Sequence, residues 1–143
     1  MLKLYIYKAN PTRVIDGDTV DLAVNLGFMI IVNARFRLAD IDAPEISRPL
    51  TKAEYEGGIK VTEYVKTLLD EHKNTLYVES LKLDIYGRYG GYLFYANDKV
   101  KEGDIGYYND YPGLVCINDL IDKFMIDNHL TKKELREIVN EVN

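Results

Sequence analysis

The chain has little of several things. Among its 143 residues stands one cysteine, Cys116, which excludes an internal disulfide framework and reads as a buried, reduced thiol. The two histidines, His72 and His129, are far apart without metal-ligand spacing, and both are expected at the surface. No apolar run is long enough to span a bilayer. The opening MLKLYIYKAN lacks the apolar stretch and cleavage site of a signal peptide and reads as a strand. The expectation is therefore a cytoplasmic protein with no membrane partner. The 18 Lys and Arg residues are scattered, and the net charge is −5. Proteins that coat nucleic acid usually carry a basic face, because backbone affinity comes from counterion release. That balance argues against a coat protein but leaves room for an enzyme touching one or two phosphates. Repeats, low-complexity tracts and interdomain linkers are absent, so residues 1–143 are expected to form one domain.

What is present alternates with period two over much of the first hundred residues. KLYIYKA, TVDLAV, MIIVNARFRL, TLYVESL and GYLFYAN are rich in Val, Ile, Tyr and Phe and read as strands. VNLGF and ANDKV read as turns, with Gly27 and Asn97 or Asp98 accepting positive φ. Between the third and fourth strands, Val61, Val65, Leu68 and Leu69 share a helical face. Thr51 and Glu54 have capping-box spacing, but Gly57 and Gly58 move the expected helix start to near Ile59. Leu120, Ile121, Phe124 and Met125 predict a second helix after an Asn118 cap. Leu135, Ile138, Val139 and Val142 predict a third after the Thr131–Glu134 capping box. Residues 101–114, with Tyr107, Tyr108 and Tyr111, read as a surface loop, either packing or a stacking platform. The expected class is α+β, a five-stranded OB-fold β-barrel with about three α-helices.

The segment RVIDGDTVDL sets three carboxylates, Asp16, Asp18 and Asp21, in a run that otherwise alternates like a half-buried strand. Like charges this close call for something positive opposite. An EF-hand fails, since Val20 takes the next ligand position and no Glu stands at loop position twelve. Further on, RFRLADIDAPE supplies Arg37, Asp42 and Glu45, and DIYGRYGG supplies Arg88 in a glycine-flanked turn.

Together these segments resemble the active-site motifs of the staphylococcal nuclease (thermonuclease) family, closely over residues 10–100 and loosely beyond. The resemblance implies that Asp18 and Asp42 ligate calcium, joined by the backbone carbonyl of Ala43. It implies that Glu45 is the general base and that Arg37 and Arg88 bind phosphate. Asp16 would stand behind the ligands or simply serve the turn. Tyr86 matches a phosphate-binding tyrosine, and Tyr89 or Tyr92 could offer base-stacking faces. Calcium takes about six to eight oxygens, so two carboxylates, a carbonyl and waters suit a weak site. Two guanidinium forks suit the charge that grows on phosphoryl oxygens.

Each residue also has a plainer reading. Asp16 and Asp18 could make a turn, Arg37 could pair structurally with Asp42, and Glu45 and Arg88 could be solvated charges. The chain departs from the family in a longer Asp18–Arg37 spacing, which suggests an extended hairpin. Ile85 replaces a phosphate-contacting lysine, Ala43 replaces a threonine, and the base-cradling tyrosines have no clear counterpart. The resemblance implies a calcium-dependent nuclease acting on DNA, with RNA as a second substrate, little sequence preference and 3′-phosphate products. A monomer is expected, and a phage or plasmid origin is compatible with the acidic chain. The alternative is a catalytically idle OB-fold module that binds single-stranded nucleic acid or a protein partner.

Overall fold

The computed structural model describes residues 5–97 and 113–138. Strands β1 (Ile6–Asp16), β2 (Thr19–Gly27) and β3 (Ile30–Leu38) precede helix α1 (Lys52–Glu71) and a short 3₁₀ turn at Lys73–Thr75. Strands β4 (Leu76–Leu83), β5 (Tyr89–Ala96) and β6 (Leu114–Cys116) follow, then helices α2 (Ile117–Asp127) and α3 (Lys132–Glu137).

The strands pair in the order β3-β2-β1-β4-β5-β6, and a β3–β5 contact closes the first five into a barrel. That closure is parallel and short: Phe36, Arg37 and Leu38 face Tyr89, Gly90 and Gly91. The α+β OB-fold expectation holds. Val20, Leu22 and Val24 alternate inward from β2, as period-two patterning requires. They join Phe36, Leu38, Val78 and Leu93 from the barrel, Val61, Val65 and Leu69 from α1, and Ile117, Ile121 and Met125 from α2. Burying each such side chain contributes about 1.5–3 kcal/mol before the entropy of ordering it is counted.

Several local expectations are corrected. α1 starts at Lys52, not near Ile59, with Thr51 as its N-cap accepting the Glu54 N–H at 3.0 Å. Gly57 and Gly58 sit inside the helix because they are packing contacts. A Cβ on Gly57 would lie 2.3 Å from Leu135 Cδ1, and one on Gly58 would lie 2.9 Å from the Pro44 carbonyl. Tertiary fit thus outweighs the helix-propensity penalty of glycine. Asn118 is no helix cap; Cys116 holds that position. The buried Asn118 amide instead donates to the Ala39 and Gly91 carbonyls at 2.9 and 3.1 Å and accepts the Leu93 N–H at 2.9 Å. The two carbonyls belong to the two sides of the barrel closure, so one side chain laces it.

The long β2–β3 hairpin matches the expected extension, and Gly27 takes the expected positive φ, 81°, just before the two turn residues. Phe28 and Met29 both have positive φ, 55° and 63°, the conformation that two-residue hairpin turns demand. Their side chains are 97% and 100% exposed. His72 is not a free surface residue, since its ring stacks on Tyr95 with centroids 3.6 Å apart. His129 is exposed as expected. Cys116 is free but only half-buried. α3 ends at Glu137 with Ile138 exposed; Val139 and Val142 lie outside the described residues. So do Asp98 and the loop tyrosines Tyr107, Tyr108 and Tyr111.

Candidate active site

The three carboxylates of the opening segment have three different surroundings. Asp16 Oδ1 accepts the Asp18 N–H at 3.0 Å, shaping the turn that joins β1 to β2. Gly17 is required there by space: a Cβ would meet Val61 Cγ1 at 2.6 Å and Ala43 Cβ at 2.7 Å. The bare glycine lets the turn press against α1 and the loop after β3. Asp18 is thereby buried, its Oδ2 accepting the Ala43 N–H at 2.8 Å and its Oδ1 accepting the Thr19 hydroxyl at 3.1 Å. Burial, then the neighbouring Asp16, pushes the Asp18 carboxyl up to about 7, against the opposing pull of Arg37 and the Ala43 N–H. Asp21 faces the other way, in a two-point ion pair with Arg35 at 2.8 and 3.1 Å. The hydrogen bond and charge of Arg35 hold its carboxyl below the usual range.

Arg37 is anchored by its own backbone surroundings. Its Nη1 donates to the Leu38 and Ile41 carbonyls at 2.7 and 2.8 Å. This fixes Nη2 at 3.3 Å from Asp18 Oδ2 and 3.5 Å from Asp42 Oδ1. Two carboxylates, one from the β1–β2 turn and one from the loop after β3, therefore converge on one guanidinium nitrogen. Glu45, three residues on, joins them through a residue that no sequence motif marked. Lys132 at the start of α3 places its ammonium 2.7 Å from Asp42 Oδ1 and 3.4 Å from Glu45 Oε1. Burial would lower the pKa of that ammonium, but the two carboxylates outweigh burial and hold it above its ordinary value.

The loop carrying Glu45 rests on another unmarked group. Glu54 in α1 is fully buried, and its Oε2 accepts the Glu45 N–H at 3.0 Å. Its Oε1 accepts the Leu50 N–H at 2.7 Å and Arg136 Nε at 2.9 Å. Burial alone would raise its carboxyl; the Arg136 pair and the two backbone donors overcome that and keep it below the usual range. Only the Thr51–Glu54 spacing hinted at Glu54, and it hinted at a cap.

Arg88 stands apart from this cluster. Asp84 organises the turn before β5, its Oδ1 accepting the Tyr86 and Arg88 N–H groups at 2.8 and 3.0 Å. Its Oδ2 takes Arg88 Nε at 2.8 Å, and the guanidinium carbon sits 5.2 Å from the centre of the Tyr86 ring. Arg88 and Tyr86 line an open groove of about 480 Å³ with Thr12, Asp21 and Arg35. A separate groove is lined by Arg37 and Asp84, so Asp84 shares a groove with one arginine and an ion pair with the other. Tyr92 is committed elsewhere, its hydroxyl donating to Asp40, a bond that pushes it up to about 12. Tyr89 packs beside Phe36.

A family model described as staphylococcal nuclease homologue matches residues 35–135. The chain belongs to the staphylococcal nuclease homologue family. No curated protein matches the chain. The matched span holds Arg37, Asp42, Ala43, Glu45, Arg88 and also Lys132, while Asp16 and Asp18 precede it.

Family membership raises the question of a cation. Among the described residues no group of three or more His, Cys, Asp or Glu side chains could hold a metal. A site of two carboxylates and a carbonyl does not require one. Asp18 and Asp42 supply hard oxygens of the type calcium prefers. A buried carboxyl beside Asp16, pushed up to about 7, gains more from an added cation than an exposed one would. The donor set therefore fits.

Proposed function

We propose that this member of the staphylococcal nuclease homologue family is a calcium-dependent nuclease. It hydrolyses phosphodiester bonds of DNA, and of RNA as a second substrate, with little sequence preference. The observation that carries the reading is the convergence of Asp18 and Asp42 on Arg37 Nη2. Asp18, Asp42 and the Ala43 carbonyl would hold the ion. Bound there, calcium supplies charge that offsets the acid cluster and polarises a phosphoryl oxygen.

The chain's own residues do the rest. Glu45 takes a proton from the attacking water, and its position is fixed by the Glu54 hydrogen bond to its backbone. Water adds to phosphorus and the bond to the 5′-oxygen breaks, leaving a 3′-phosphate end and a 5′-oxyanion that takes a proton from solvent to become the hydroxyl. Arg37, its Nη1 held by two carbonyls, would offer Nη2, which now faces Asp18 and Asp42, to the equatorial oxygens once those carboxylates hold the ion. Arg88 meets the substrate from the groove it shares with Tyr86. Ile85 is exposed beside it, so the contact a lysine would make there is missing.

The test is cleavage of plasmid and single-stranded DNA with calcium and with chelator. Chelator-sensitive cutting is expected; its absence at alkaline pH overturns the reading. Glu45→Gln should lower kcat by about 10²–10⁴-fold with an unchanged melting temperature. The Lys132 and Asp84 ion pairs favour a second reading, an idle barrel whose charges are already neutralised. Salt-sensitive oligonucleotide binding without cleavage is its signature.

A further inference from the structure

Lys132 reaches the acid cluster from a helix locked in place. Thr131 caps α3, accepting the Glu134 N–H at 3.2 Å. The Thr51 hydroxyl donates to the Leu135 carbonyl at 3.0 Å, tying α3 to the cap of α1. Leu135 lies against the bare backbone of Gly57, and Arg136 is paired with buried Glu54. With its backbone fixed from these sides, the Lys132 side chain is only 15% exposed. Most surface ion pairs contribute little because two long side chains must be ordered to make them. Here that ordering is already done by the helix, and the stem has no open solvent to sweep.

Its ammonium touches Asp42 and Glu45 together, a carboxylate assigned to the cation and the carboxylate assigned to the base. We propose that Lys132 is the resident counter-cation of the Asp42–Glu45 pair and that it sets the affinity of this centre for a divalent cation. The inference rests on the calcium reading above. A calcium ion bound at Asp42 must share that carboxylate with an ammonium and sit within a few ångströms of a like charge. Coulomb repulsion at that range in a partly solvated site is worth a substantial factor in affinity. Lys132 thereby also keeps the two acids from repelling one another when no divalent ion is bound, so the loop keeps its shape.

Calcium titration by calorimetry tests this without reference to turnover. Lys132→Met should bind calcium about tenfold more tightly than the parent. Lys132→Gln, which keeps a donor but no charge, should shift the same way, and Lys132→Arg should stay within about twofold. Melting temperatures establish that each variant is folded. If Met and Gln variants bind calcium no more tightly than the parent, Lys132 does not set the affinity and the proposal falls. If in that case the parent binds calcium and cuts DNA, the nuclease reading stands and only the role of Lys132 is lost. If the parent binds no calcium at all, both fall together.

Discussion

Asp18 and Glu54 are both buried carboxyls, yet their surroundings push them in opposite directions. Glu54 receives two backbone N–H groups and a guanidinium, and stays ionised. Asp18 has one backbone N–H, a share of Arg37 and Asp16 beside it, so burial and then Asp16 win and its carboxyl is pushed up to about 7. A protonated carboxyl is a poor calcium ligand, so binding must expel the proton. Calcium affinity measured by calorimetry should therefore rise from about pH 6 to about pH 8 and then level off. Asp18→Asn should bind weakly throughout. A flat profile for the parent would remove Asp18 from the ligand set. For Glu54 the sign is reversed for stability. Its folded-state pKa is lowered, so its contribution is present above its unfolded pKa and is lost as pH falls through the folded value. Glu54→Gln should cost about 1–3 kcal/mol at neutral pH, since a buried acceptor of backbone donors is weakened, and should flatten the acid limb of a melting-temperature profile.

At the scale of elements, the informative glycines are those in α1. Alanine favours a helix interior over glycine by about 1 kcal/mol. Gly58→Ala should nevertheless destabilise by about 1–3 kcal/mol, because its Cβ meets the Pro44 carbonyl at 2.9 Å. That carbonyl lies next to Glu45, so kcat should fall with stability; urea denaturation and initial rates read both. The β2–β3 hairpin predicts the opposite sign. Phe28 and Met29 hold positive φ without the benefit of an Asn-Gly pair. Replacing them together by Asn and Gly should stabilise the fold by about 1–2 kcal/mol in the same assay. These elements also show what could be read from sequence. The strands and the inward faces of α1 and α2 were legible, because period and burial express the same local pattern. Asp18, Arg37, Asp42, Ala43, Glu45 and Arg88 stood out in sequence by resemblance; the structure sets the first five close together and Arg88 apart on Asp84. Lys132, Glu54 and Asn118 were not legible. Each acts on partners far along the chain, 90 residues away for Lys132 and Asp42, and periodicity carries no record of such partners. The start of α1 was misread for the same reason: the space that Gly57 must leave for Leu135 is a tertiary fact.

For the molecule as a whole, charge and topology act together. An acidic chain with net charge −5 has little non-specific hold on a polyanion, so in the proposed function its grip on substrate would come from a few placed cations. Two of these, Arg37 and Arg88, stand on opposite lips of the barrel's closure, where three residues of β3 meet three of β5. Asn118 spans the lips, bonding the Ala39 and Gly91 carbonyls from inside. The seam and the distance between the two guanidinium groups are therefore one variable. In the proposed reaction, opening of the barrel on this side would cost phosphate one of two grips, whatever happens to the acids. Asn118→Ala should cost about 2–4 kcal/mol and speed hydrogen exchange first at Tyr89–Gly91, ahead of the β1–β2 ladder. Heating should then silence cutting in that variant well before the rest of the barrel melts: a mended zipper with one missing tooth fails where the hands must meet.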